Sequence, residues 1–100
     1  MRFHRPPTDL DAALRDLSDP AAVARVRAAD ALGRTSAHDP RRQQIGASLR
    51  QALDDASPDV RHAAALALGE LGDREAVPRL AQMVAGDPEP MPRQGAISAL

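Results

Sequence analysis

Thirteen arginines, no lysine and three histidines supply the basic groups of this 100-residue chain, and the arginines carry the most regular chemistry. Three of them stand six residues after an aspartate: Asp19 and Arg25, Asp55 and Arg61, Asp87 and Arg93. A guanidinium offers a planar fork of donors that matches a carboxylate or a phosphate. The spacing therefore allows two chemistries. One is a row of arginines for an anionic ligand; the other is a ladder of charge-assisted bonds to these same aspartates or to those of adjacent repeats. Each arginine brings its own aspartate at the same offset, so the ladder is the expected arrangement, with the aspartates also capping the helices that follow.

Other chemistry finds little to work with. Cysteine is absent, so thiolate catalysis, disulfides and Cys-ligated metals are excluded. His4, His38 and His62 are isolated in sequence, and a metal needs several ligands. His62 reads as a helix-surface residue and His38, beside Asp39, as part of a solvated turn. No Ser-His-Asp order, Gly-rich phosphate loop or paired-carboxylate motif stands out. The expectation is a non-enzymatic chain with no catalytic, cofactor-binding or metal site.

Charge and aromatic content narrow the partners. Fourteen acidic residues against thirteen basic ones leave a formal net charge of -1, with no basic excess for nucleic acid or an anionic membrane. Phe3 is the single aromatic residue, so a base-stacking platform is not expected. Met1 to Pro7 carries charges and prolines where a signal peptide needs an apolar run, and no stretch approaches membrane-spanning length. A cytoplasmic protein is expected.

The elements that must position the arginines follow from a longer frame. Asp19, Arg25, Ala28, Ala31 and Leu32 return as Asp55, Arg61, Ala64, Ala67 and Leu68, then as Asp87, Arg93, Ala96, Ala99 and Leu100. The copies are spaced by 36 and then 32 residues, a period of helical solenoids, whose usual product is a binding surface. Gly33 and Gly69 follow Leu32 and Leu68. A glycine inside a helix costs about 1 kcal/mol relative to alanine, so its recurrence predicts close helix approach.

Helix signals fill in the rest. Thr8 and Asp11 resemble a capping box before Leu10, Ala13, Leu14 and Leu17, with Asp11 and Arg15 spaced as a surface pair. A second helix is expected over about 21–34 after Asp19-Pro20. The third carries Ile45, Leu49, Ala52, Leu53 and Ala56 inward, and the fourth, after Ser57-Pro58, carries Val60, Ala64, Ala67, Leu68 and Leu71. Gly72 ends the fourth, and Val77, Leu80 and Val84 stripe the fifth. Residues 86–92 read as a proline-rich loop before a sixth helix from Arg93.

The expected fold is all-α, about two and a half antiparallel helix pairs with the last cut mid-helix. Residues 1–7 form an extended segment; repeats cover about 8–35 and 40–72, with a partial third over 73–100. Ile97 and Leu100 then leave an apolar edge, through which self-association is expected.

The run from Val60 to Asp73, followed by Ala76-Val77-Pro78-Arg79-Leu80, resembles a HEAT-type repeat of the phycobilisome-lyase-like class. The resemblance covers about Leu10 to Leu100 and implies a protein-protein interaction scaffold or regulatory segment of a longer HEAT-repeat protein. Its alternative is an enzyme-associated module resembling a phycobilin lyase subunit. Deoxyhypusine hydroxylases of similar sequence use His-Glu pairs to hold iron; here Ala63 follows His62, and neither His4 nor His38 precedes a Glu.

Overall fold

The computed structural model describes residues 9–100, and the regular structure in them is helical throughout. Helices α1 (Leu10–Asp16) and α2 (Ala22–Gly33) form a first pair, α3 (Arg42–Ala52) and α4 (Pro58–Leu71) a second. A 3-10 turn over Arg74–Ala76 leads into α5 (Val77–Gly86), which pairs with α6 (Pro90–Ala99). The second helices α2, α4 and α6 lie side by side in one row, each backed by the first helix of its own pair. The described residues thus form an α-solenoid of three helix pairs. The extended segment expected over 1–7, and Thr8, lie outside the described residues.

α4 sits at the centre and shows how the pattern builds a core. It buries Val60, Leu68, Leu71 and four alanines, so its small residues touch neighbours on both sides. Leu32, Ile45, Leu49, Leu53, Leu80 and Met83 fill the space between the row and its backing helices, all with at most 2% of their surface exposed. Alanine is well suited to this row: it has the best helix propensity and adds little bulk.

The recurring glycines set the spacing of the row. A Cβ on Gly33 would stand 2.9 Å from the Cα of Ala67, and one on Gly69 would stand 2.8 Å from the Cα of Ala99. Both contacts are with backbone, which cannot swing aside. Gly72 serves a different purpose, closing α4 in the left-handed conformation at φ 66°.

Several local expectations change. α6 opens at Pro90, not Arg93, because prolines are tolerated in a first helical turn where no N–H is needed. The third pair is therefore more complete than the half repeat expected. α2 opens at Ala22, and α1 is capped by Asp9, whose Oδ1 accepts from the Ala12 N–H at 3.1 Å. α3 ends at Ala52, which leaves Ala56 exposed in the following loop. Met83 is buried where Val77 was expected to be; Val77 is the first residue of α5 and is 47% exposed. Asp11 bonds Arg41 at 3.0 Å and not Arg15, tying α1 to the entry of α3.

Leu68→Ala should cost about 2–5 kcal/mol as a cavity in the most enclosed helix. Gly69→Val should cost about 1–3 kcal/mol through overpacking against Ala99. Gly86→Ala, with open space around the added methyl, should be neutral or stabilise by up to about 1 kcal/mol. Urea titrations of the three variants check the set, and a Gly69→Val variant as stable as Gly86→Ala would contradict the close-approach account.

Candidate functional site

The first two Asp-Arg frames form the same joint between consecutive repeats. Arg25 Nε and Nη2 donate to the two carboxylate oxygens of Asp55 at 2.9 and 3.1 Å, while Nη1 donates to the carbonyls of Asp19 and Pro20 at 2.8 and 3.1 Å. Arg61 repeats this with Asp87 at 2.9 and 3.1 Å and with the carbonyls of Asp55 and Ala56 at 2.9 and 3.2 Å. The rung thus runs from an arginine to the next repeat's aspartate. Its own repeat's aspartate offers only a backbone carbonyl.

The aspartates do not cap helices directly. Oδ1 of Asp19 accepts from the Ala21 N–H at 2.8 Å, Asp55 from Ser57 at 2.9 Å, and Asp87 from Glu89 at 3.0 Å. Ala21, Ser57 and Glu89 are the helix N-cap residues, and none makes a side-chain cap bond. Each aspartate lies two positions too early to reach the first turn of its helix, so it closes an Asx turn instead. This replaces the expected capping role.

Burial and charge act together at the rungs. Arg61 and Asp87 side chains are 12% and 4% exposed, the most enclosed pair of the ladder. The Arg61 guanidinium holds the Asp87 carboxyl below the ordinary carboxylate range, against the opposing effect of burial and with help from the Glu89 N–H. At Asp55 burial pushes the carboxyl up, but the bonds from Arg25 and from the Ser57 N–H outweigh it and the net direction is downward. Arg25 and Arg61 are consumed by these contacts, so the row of free arginines for an anion does not form. Arg93 donates through Nη1 to the Asp87 carbonyl at 2.8 Å, and its Nε and Nη2 have no partner among the described residues.

Other pairs brace the backing helices. Arg50 bonds Asp73 and, at 3.1 Å, Glu75, joining α3 to the turn after α4. Arg79 bonds Asp54 at 2.6 Å on the exposed side of α5.

His62 does more than decorate a helix surface. Its Nδ1 lies 2.8 Å from the Met91 carbonyl, which can only accept, so Nδ1 carries the proton in this contact. The ring occupies the space a Cβ on Gly95 would need, 2.8 Å away. Sequence reasoning missed this pairing; the signal was Gly95, which stands where the previous copy has Ala63. Among the described residues no three His, Asp or Glu side chains gather in a metal-binding group. His38 lies in the loop before α3, and His4 lies outside the described residues.

Along the row, α2 and α4 enclose an open groove of about 620 Å³ that also reaches Met91 at the start of α6. Val23, Val26, Leu66 and Met91 give it apolar walls, and Asp30 and Asp59 stand on its margin. Val23 is 62% exposed and Met91 49%. Neither Asp30 nor Asp59 has an ion-pair partner among the described residues. These residues escaped the sequence reading because they occupy no recurring motif.

Stacked helix pairs joined by a carboxylate-guanidinium ladder define a helical-repeat protein. The family model described as HEAT repeats matches residues 10–100, and the chain belongs to that family. No curated protein matches the chain. Repeats of this family generally mediate protein-protein interaction. No helix among the described residues is long and apolar enough to cross a membrane.

Asp87→Asn or Arg61→Met should cost about 2–4 kcal/mol, because either leaves its partner enclosed and unpaired. Asp54→Asn on the exposed pair should stay within about 0.5 kcal/mol. The lowered carboxyls of Asp55 and Asp87 contribute stability in full above the unfolded value of about 3.9. That contribution is lost as pH falls through their lower folded-state values. Acid titrations should therefore show the wild type losing stability below about pH 4 more steeply than Asp87→Asn. Equal acid profiles would separate the rung from stability.

Proposed function

We propose that the chain is a non-catalytic interaction segment that holds a protein partner in the groove between α2 and α4. The observation that carries this reading is the contrast between two sets of positions on the same helices. The rung arginines and aspartates and the frame's Ala and Leu positions repeat in every copy, whereas the groove positions and their counterparts change in each: Val23, Asp59 and Met91; Val26, His62 and Gln94; Asp30, Leu66 and Ser98. The partner suited to this groove inserts apolar side chains between Val23, Leu66 and Met91 and sets basic groups against Asp30 and Asp59. Apolar anchors would supply affinity, and the two carboxylates orientation.

A photo-crosslinking residue placed at Val23 or at Met91 tests the reading in extracts of the source cells, with Ala85 on the exposed side of α5 as control. The expected result is one protein adduct shared by positions 23 and 91, absent at 85. Asp59→Lys should reduce it about tenfold while lowering the melt by only a few degrees, the latter because Asp59 is the acidic residue in the first turn of α4. Equal labelling at all three positions would sink the groove. A co-purified tetrapyrrole with visible absorbance would favour the module resembling a phycobilin lyase subunit instead.

A further inference from the structure

The outer face of α6 presents the surface that α2 and α4 bury against their successors. Ala29 and Ala65 are fully buried, while Ile97 at the corresponding position is 55% exposed. Leu32 and Leu68 are 0% and 1% exposed, against 58% for Leu100. The arginine matches as well. Nη1 of Arg25, Arg61 and Arg93 meets the carbonyl of the aspartate six residues earlier at 2.8, 2.9 and 2.8 Å, so all three guanidiniums share this anchor, and the first two add a second carbonyl, that of Pro20 or Ala56. In the first two the remaining edge grips a carboxylate; in Arg93 it grips nothing among the described residues. This face is a geometric continuation of an interface seen twice in the same molecule.

We propose that the outer face of α6 docks a further HEAT-type helix pair, recognised by an aspartate that closes a third rung on Arg93. The aspartate must sit in an Asx turn two residues before the N-cap of the incoming second helix, as Asp55 and Asp87 do. That helix must also carry a small residue opposite Gln94, where Ala63 and Gly95 serve the existing joints. Gly95 shows how little room there is, with His62 already inside the space of its Cβ. A second copy of this chain fits less well. Its Asp19 has the right turn, but its Arg27 would fall in the slot that Ala63 and Gly95 fill. A copy joined through its own α6 brings no acidic residue in that helix for Arg93.

The probe is the helix pair itself, supplied at high effective concentration by fusion. A duplicate of Gly69–Leu100 placed directly after Leu100 carries a second Asp87 in register with Arg93. A second extension, duplicating Gly33–Leu68 and carrying Asp55, guards against one fusion failing to fold. Hydrogen exchange of the Gly95–Leu100 amides should slow about tenfold or more in the extended chains. Arg93→Gln, or Asn in place of the duplicated aspartate, should abolish the gain, whereas Arg93→Gln in the unextended chain should change exchange less than about twofold. If neither extension slows exchange, or if Arg93→Gln has equal effects with and without the extension, the proposal fails. Concentration-dependent association that gives the unextended chain the same protection would assign the face to a second copy and also overturn it. The groove crosslinks at positions 23 and 91 are read separately, so either proposal can fail alone.

Discussion

A single guanidinium at the start of each second helix governs how this molecule is put together. Arg61 uses three nitrogens on two tasks: it ties down the loop that enters its own helix, through the carbonyls of Asp55 and Ala56, and it grips Asp87 of the next repeat with both remaining donors. Asp87 in turn folds its own loop through the Glu89 N–H. One ion pair therefore fixes a loop, the start of a helix and the register between two repeats. Partial burial makes this demanding, since a charge withdrawn from water destabilises the fold unless its partner is correctly placed. The bidentate geometry meets that demand and rejects a helix displaced by a turn.

The ladder works only because the helices can come close. Gly33 against Ala67 and Gly69 against Ala99 leave no space for a methyl group, and the backbone approaches at these points set the separation that the rungs span. The loss in helix propensity at each glycine, about 1 kcal/mol, is offset by dispersion contacts along two closely apposed alanine-rich faces. Rung and glycine lie at opposite ends of the same helix, so between them they define both position and tilt. At the α4–α6 joint a third contact is added by His62, whose ring rests on Gly95 and bonds the Met91 carbonyl.

Much of this architecture was legible in the chain because its signals are local or periodic. The Asp-Arg offset, the glycine after Leu32 and Leu68, the Ser57-Pro58 start and the Gly72 stop depend on neighbours within one helix turn. What stayed hidden depends on distant partners. Nothing in the spacing of Arg25 says that it passes over Asp19 for Asp55; that choice follows from the stacking of repeats. The pairing of Asp11 with Arg41 is of the same kind. The start of α6 at Pro90 was obscured because three prolines in seven residues resemble a loop, although a first helical turn accommodates them. Met83 is buried and Val77 exposed because the inward stripe runs through Ala76, Leu80 and Met83, one residue out of register with Val77.

The division of labour along each second helix also explains why construction and recognition do not interfere. The rung arginines and aspartates and the frame's Ala and Leu positions must satisfy a carboxylate of given geometry or a methyl-sized gap, and they recur from copy to copy. On the groove side Val23, Asp59 and Met91 are exposed, so no packing term ties Val23 to Asp59 or Asp59 to Met91, and each copy is free to differ there. A joint strong enough to hold the register by itself makes that freedom harmless: exposed substitutions on the groove side usually change stability by less than about 0.5 kcal/mol. That freedom has limits. Val26 and His62 belong to the groove yet touch the core or the next helix, so recognition can vary most at Val23, Asp30, Asp59 and Met91, whose side chains carry no part of the stack.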